Sequence, residues 1–484
     1  MPQNEAIQSA ASGKSGTLHE RPDAEVDSDP VERAVWGRRA RATRRVAAGT
    51  LGLAGVLLAA CGPTESGGGT GGAAGPKKAP VTLQVGSFPP NSPEDLEVHR
   101  SIWTAFSQAR PHVTLHVDEQ GTNPTKLLAQ LAANTPPDAA AIHPNDLATV
   151  AAAGGYQRLD DLVAKDKTVD VKLFQTGLLE YFKFKGGLLQ LPYYSGPSMM
   201  FYNKTLFQRS GVKLPDDYDR EGKWTWDGGF LEAARQLAQG SGGSRIYAFH
   251  PKARALAMQA SAVWSNGGDL IDWANHSRSA LTTPATLEAF QIQADFTTKH
   301  RVVPPPAEEA EFGGGWDCLK GFTTGRIAMF FGGRGWIPTL KTIRDFEVAM
   351  WHHPKGKAGR VHRDGPNGYG VVTGAKQTEE AWEFVKFYSG TTAQVLLVNG
   401  GRNVPTTTRK EDLDAFRKAV APFEKPDVHL EAARGRRALA PLPTKWGEMN
   451  RVYGDSWSQV LNGGVEVKPA LEDLSRQWEQ LLKG

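Results

Sequence analysis

Between residues 81 and 155, short β-forming runs alternate with helix-patterned runs at a pitch that few folds accommodate. VTLQVGSF (81–88) predicts a first strand entering a Ser-Phe-Pro-Pro-Asn loop. HRSIWTAFSQA (99–109) sets Ile102, Trp103, Ala105 and Phe106 at helical spacing before Pro111. HVTLHVD (112–118) and Asp138–Ile142 predict further strands, with helical patterns at 126–133 and 147–155 between and after them. Such alternation predicts a parallel sheet covered on both faces. In sheets of this kind ligands lie outside the carboxyl ends of the strands. The loops Ser87–Pro93 and His143–Asp146 are therefore the first places to look for a site.

The middle of the chain is denser in aromatics and turns. LLQLPYYSGPSMMFYNKTLFQRSGV (188–212) reads as a strand, a Pro/Gly-rich turn at Pro192–Pro197, a strand Ser198–Tyr202 and a helix. A buried strand at 326–331 breaks at Gly332-Gly333, and GYGVVTG (368–374) predicts another strand. Helices are expected at 225–239, 255–268, 283–300, 378–390, 446–462 and 469–482. Trp103, Trp382 and Trp478 lie on apolar helix faces and are expected in the core. With 56 Lys+Arg against 52 Asp+Glu, net charge is +4, which gives no general attraction to nucleic acid.

The amino-terminal part specifies an address. Six arginines (Arg33, Arg38, Arg39, Arg41, Arg44, Arg45) precede an uncharged apolar run, 46–60, that ends Leu58-Ala59-Ala60-Cys61. A basic region, a short apolar region and small residues before a cleavage point make a secretory signal. The run is shorter than the ~20 residues of a spanning helix. Leu-Ala-Ala-Cys matches the lipobox of bacterial lipoproteins, so Cys61 is expected to be acylated and to anchor the chain outside the cytoplasm. Arg44-Arg45 after Thr43 hints at twin-arginine export, but the rest of that motif is weak, so the general secretory route stays open as well. Residues 1–32 are polar and read as disordered, and 61–80 form a Gly-rich tether. Acylated Cys61 would leave Cys318 alone, without an intramolecular disulfide.

Four segments, in order, then carry a family pattern: PDAAAIHPNDLATVAAAGGYQRLDDL (137–162), LPYYSGPSMMFYNKTLFQRSGV, GRIAMFFGGRGWIPTLK, and AWEFVKFYSGTTAQVLLVNGGRNVPTTT (381–408). Together they resemble the solute-binding proteins of ABC transporters, family 1, the maltose-binding-like carbohydrate-uptake group. The resemblance covers about 81–482. It implies an α/β, two-lobed periplasmic-binding-protein fold of the class II type, its two sheets joined by hinge crossovers. Lobe 1 would comprise 81–193 and a return at 367–415. Lobe 2 would comprise 198–366, with C-terminal helices in 416–484 packed on it. The implied function is a lipid-anchored, monomeric receptor that binds a carbohydrate between the lobes and hands it to an ABC permease. No cofactor, metal or nucleic acid is expected.

Sugars need aromatic platforms for their C–H faces and fixed polar groups for their hydroxyls. The family pattern puts Trp336, Trp264 and Asn145 forward as contacts, with Tyr194 and Ser195 in the first crossover. His143, Tyr369, Arg402, Arg334 and Trp316 complete the candidate set, and Tyr453 is a further aromatic possibility. Gly196 stands where the malto-oligosaccharide binders carry an acid, which argues against maltose itself. An exported glycoside hydrolase is the alternative, but it needs two carboxylates facing one bond. The adjacent pairs Asp160-Asp161, Asp216-Asp217 and Glu308-Glu309 do not suit that geometry. There is no Gly-x-Ser-x-Gly elbow, metal-ligand spacing or phosphate loop.

Overall fold

The computed structural model describes residues 78–483 apart from 91, 251–255, 274, 276, 313–318 and 439–442. Cys61, Cys318, Trp316 and almost all of the Gly-rich tether lie outside the described residues. The strands of two main sheets and of a short parallel pair are, in chain order, β1 (Val81–Gly86), β2 (Val113–Asp118), β3 (Ala139–Ile142), β4 (Leu191–Tyr194), β5 (Met199–Asn203), β6 (Tyr247–Phe249), β7 (Ile327–Gly332), β8 (Val348–Trp351), β9 (His362–Arg363), β10 (Asn367–Val371) and β11 (Arg436–Arg437). The first sheet has the order β2-β1-β3-β10-β4 and the second β8-β5-β7-β6. Strands β1, β2 and β3 run parallel, as their alternation with helices predicts. One of the two strands that complete this sheet departs from that expectation. β10 is antiparallel to both its neighbours, β3 and β4, so it alone is reversed and β4 runs in the direction of β1, β2 and β3.

The helices that matter for the site are α1 (Pro93–Ala109), α2 (Pro144–Ala152), α3 (Leu256–Ser265), α4 (Pro284–Thr298), α5 (Thr378–Ser389), α6 (Thr391–Asn399), α7 (Pro426–Arg434), α8 (Trp446–Leu461) and α9 (Val467–Lys483). α1 starts six residues earlier than its apolar pattern predicts. Ser92 caps it, its Oγ accepting the Asp95 N–H at 3.2 Å, and Pro93 occupies the first turn beside Glu94 and Asp95. Proline and acids suit that position, where amide hydrogens are unpaired and the helix dipole is positive.

Each lobe has its own core. Leu83, Val85, Ile102, Trp103, Phe106, Tyr369, Trp382, Phe384 and Tyr388 gather about the first sheet. In the second sheet β5 is buried on both faces. Met199 and Phe201 enter one cluster with Phe330 and Met350, while Met200 and Tyr202 enter the other with Phe230 and Phe331. Side chains two apart share a strand face, so continuous apolar sequence here means a strand covered on both sides. A further cluster joins α3 and α4 to α8 and α9 around Trp264, Phe290, Tyr453, Trp457 and Trp478.

The crossovers are stitched to one another. Ser195 Oγ donates to Asp364 Oδ2 at 2.6 Å and the Gly196 N–H to Oδ1 at 2.9 Å. The Ser198 N–H donates to Arg363 O, and the Val404 N–H to Ser195 O. Three stretches remote in sequence thus meet where the lobes join.

Candidate functional site

Beside these crossovers lies a cleft of about 570 Å³. Lobe 1 lines it with Phe88 after β1, Asp95 and His99 from α1, and His143, Asn145 and Asp146 at the start of α2. Tyr194, Arg363, Gly365 and Asn367 come from the crossovers, and Arg402 from the loop after α6. Trp446 and Asn450 come from the first turns of α8. The loops after β1 and β3 are those that strand alternation singles out, because side chains there project past the sheet edge.

His143 is the cap of α2, its Nδ1 accepting the Asn145 N–H at 3.1 Å. A ring nitrogen that accepts is unprotonated, so the ring is neutral and carries its hydrogen on Nε2. Burial and then the Arg363 charge press its pKa down to about 3. Phe88 flanks the ring with centroids 6.2 Å apart. Burial raises the Asp146 carboxyl. Asp95 and Arg402 form a buried ion pair at 2.6 Å, and Arg402 Nη1 donates to Gly335 O at 3.0 Å. Arg402 therefore ties α1 of lobe 1 to the turn after β7 in lobe 2. Asn367 Oδ1 and Arg363 Nε are buried without a hydrogen-bond partner among the described residues.

Of the sequence-derived candidates, the cleft brings together His143, Asn145, Tyr194 and Arg402. The other described candidates lie elsewhere. Trp336 is half-buried in the turn after β7, edge-on to Phe330 at 6.4 Å. Trp264 is buried, its Nε1 donating to Asp269 Oδ1 at 3.0 Å and its ring covered by Arg437. Arg334 is fully buried and bidentate on Glu424, with Nη1 donating to Asn403 O at 2.6 Å. Tyr369 is buried between Tyr193 and Tyr388 in the core of lobe 1. Tyr453 is buried too, and its hydroxyl donates to Gln259. Ser195 is committed to Asp364. A Cβ on Gly196 would fall 2.4 Å from Tyr194 Oη, so glycine at this position admits the tyrosine ring.

Sequence reasoning missed Asp95, Arg363, Asn367 and Trp446. Ser-Pro-Glu-Asp at 92–95 is itself a helix-start signature, and it could have put Asp95 at a helix start just after a strand. No local signal distinguishes Arg363 or Asn367.

A family model described as bacterial extracellular solute-binding protein matches residues 90–395, more than half of the chain. The chain belongs to this family. A Brucella abortus binding protein is 22% identical over 308 residues, covering 60% of this chain and 67% of its own. Among solved structures, an ABC substrate-binding protein of Listeria monocytogenes in complex with cycloalternan gives a TM-score of 0.72 at 20% identity, over 83% of this chain and 99% of that one. The GacH receptor of Streptomyces glaucescens, solved unliganded and with acarbose, gives 0.70 at 18%, over 84% and 99%. UgpB of Mycobacterium tuberculosis in complex with glycerophosphocholine gives 0.66 at 17%, over 84% and 99%. At these identities the likeness shows the two-lobed α/β fold. Membership makes the chain an extracellular solute binder rather than an enzyme. Among the described residues no helix is long and apolar enough to cross a membrane. No group of three or more His, Cys, Asp or Glu among them is placed to hold a metal ion.

Proposed function

We propose that this protein is the receptor of an ABC importer, binding a sugar or a small oligosaccharide between its lobes and delivering it to a permease. The observation that carries this reading is the cleft itself, where crossovers, both lobes and aromatic as well as polar side chains converge. Phe88, Tyr194 and Trp446 offer ring faces, and Asn145, Asn367, Asn450 and the His143 Nε2–H offer fixed polar groups. Mixed aromatic and hydrogen-bonding walls suit sugars. Similar structures in complex with cycloalternan and acarbose lend support. Lobe boundaries near 197, 366 and 416 belong to the same reading, as does a monomeric state. Closure would be a population shift, since a ligand touching both lobes gains contacts only in the closed form.

Titration calorimetry and thermal shift against neutral and charged sugars, polyols and their phosphates test it. At ~100-fold excess over its dissociation constant, the right ligand adds about 2.7 kcal/mol of stability and is recovered unaltered. Turnover, or silence across the whole panel, would overturn the reading. The lipid anchor is separable: Cys61→Ala should move the protein from the membrane fraction to the soluble one, and unchanged fractionation would refute acylation there.

A further inference from the structure

We propose that the ligand of this cleft carries an anionic group, a carboxylate or a phosphate, seated on Arg363. The proposal rests on the sugar-receptor reading and narrows its ligand to acidic or phosphorylated sugars and polyols. Arg363 ends β9, and its backbone is pinned on both sides. Its N–H donates to Ser261 Oγ at 2.9 Å and its carbonyl accepts the Ser198 N–H at 2.7 Å. The side chain then enters the cleft, where the guanidinium has no ion pair or hydrogen bond among the described residues. Gly365 keeps a space open beside it. A Cβ there would lie 3.4 Å from His143 Nε2 and 3.5 Å from an Arg363 Nη. Because His143 Nδ1 is occupied by the Asn145 N–H, Nε2 is a second donor facing that space.

Asp146 apart, the other charges around the cleft are matched. Asp95 is paired with Arg402. The nearest carboxylate, Asp364, accepts from Ser195 and Gly196 and also faces Arg436 at 3.5 Å. Arg363 and Arg436 against Asp364 leave one positive charge over. Asp146 also lacks an ion-pair partner within 4 Å, but burial favours its protonated form, and a carboxyl can shed its charge by taking up a proton. A guanidinium cannot. Closing the lobes on a neutral sugar would therefore bury an uncompensated cation, which is costly. A carboxylate or phosphate meets it through the guanidinium fork with two parallel hydrogen bonds.

The test is titration calorimetry of the full chain with matched probes: glucose against glucuronate and glucose 6-phosphate, galactose against galacturonate, and glycerol against glycerol 3-phosphate. At least one acidic probe should bind tenfold or more tightly than its neutral counterpart, and the carboxylate and phosphate arms show which anion is preferred. Arg363→Gln should abolish most of that preference, while Arg363→Lys, which keeps the charge without the fork, should retain part of it. Should the glutamine variant fail to fold by circular dichroism, the lysine variant alone decides, through a preference reduced from that of the wild type. Neutral sugars binding as tightly as every acidic partner would overturn the anionic ligand and leave the sugar receptor standing, and so would a preference that survives Arg363→Gln. Binding of no probe, acidic or neutral, would overturn both readings.

Discussion

Arg334 and Arg363 both stand at or just beyond the end of a strand, Arg334 after β7 and Arg363 at the end of β9, yet their surroundings are opposite. Arg334 spends its guanidinium on Glu424 and on Asn403 O, with its charge 4.9 Å over the Phe416 ring. His429 completes the knot at 2.9 Å from Glu424. Burial alone would raise the Glu424 carboxyl, but the bonds from His429 and Arg334 hold it at about 2. Arg363 has no such partners and opens into the cleft. A buried cation with each guanidinium nitrogen engaged is part of the frame. One without partners is held in readiness for something outside the chain.

Breaking the frame should have the largest effect. Arg334→Met leaves Glu424 buried without its cation and should cost about 3–5 kcal/mol in urea unfolding. A loss below 1 kcal/mol would mean that Glu424 finds another partner or simply takes up a proton.

Acid should act on the crossovers rather than on either arginine. His352, His353 and His362 are buried together, with His362 Nδ1 2.8 Å from Ser198 O and His353 Nε2 3.2 Å from Ser198 Oγ. Burial presses His352 down to about 4 and His353 to about 3, and takes His362 well below its usual value. Arg360 adds to the penalty at all three, while Glu431 and Asp219 oppose it at His352. Below pH ~6.5 the unfolded chain takes up protons that the folded chain refuses. Stability should fall as pH drops from ~6.5 toward ~4, by roughly 1 kcal/mol per histidine over the first unit. Melting at pH 6.5 and 5.5 measures this, and His353→Gln should flatten the slope; an unchanged slope would place the acid sensitivity elsewhere.

The smallest effect belongs to Arg363. Since its guanidinium supports nothing in the unliganded fold, Arg363→Gln should change stability by less than about 1 kcal/mol or raise it slightly. A cost like that of Arg334→Met would assign Arg363 to the frame and erase the contrast.

Much of the fold is legible in the residues themselves. β1 and β2 follow from alternating positions, β3 from a short continuous apolar run, and α8 and α9 from helical spacing that ends within two residues of the observed limits. The site is less so. His143 and Asn145 were reachable because a loop after a parallel strand must face the cleft. Trp336, Trp264 and Trp446 look alike in sequence, each near a helix end, but only Trp446 lines the cleft. Which aromatic faces a cavity depends on how helices from distant segments dock, and local spacing does not carry that.

By itself, the order of residues determined the strand–helix alternation and the apolar faces that must be buried, because periodicity is a local property of a regular backbone. The turn it places at Pro192–Pro197 starts later, since Pro192, Tyr193 and Tyr194 extend β4. Tertiary structure alone decided which charges are matched. Arg334 meets Glu424 at a sequence separation of 90, and Ser195 meets Asp364 at one of 169. Electrostatic pairing acts through space, so the difference between a satisfied and an unsatisfied arginine exists only once the lobes have folded against each other.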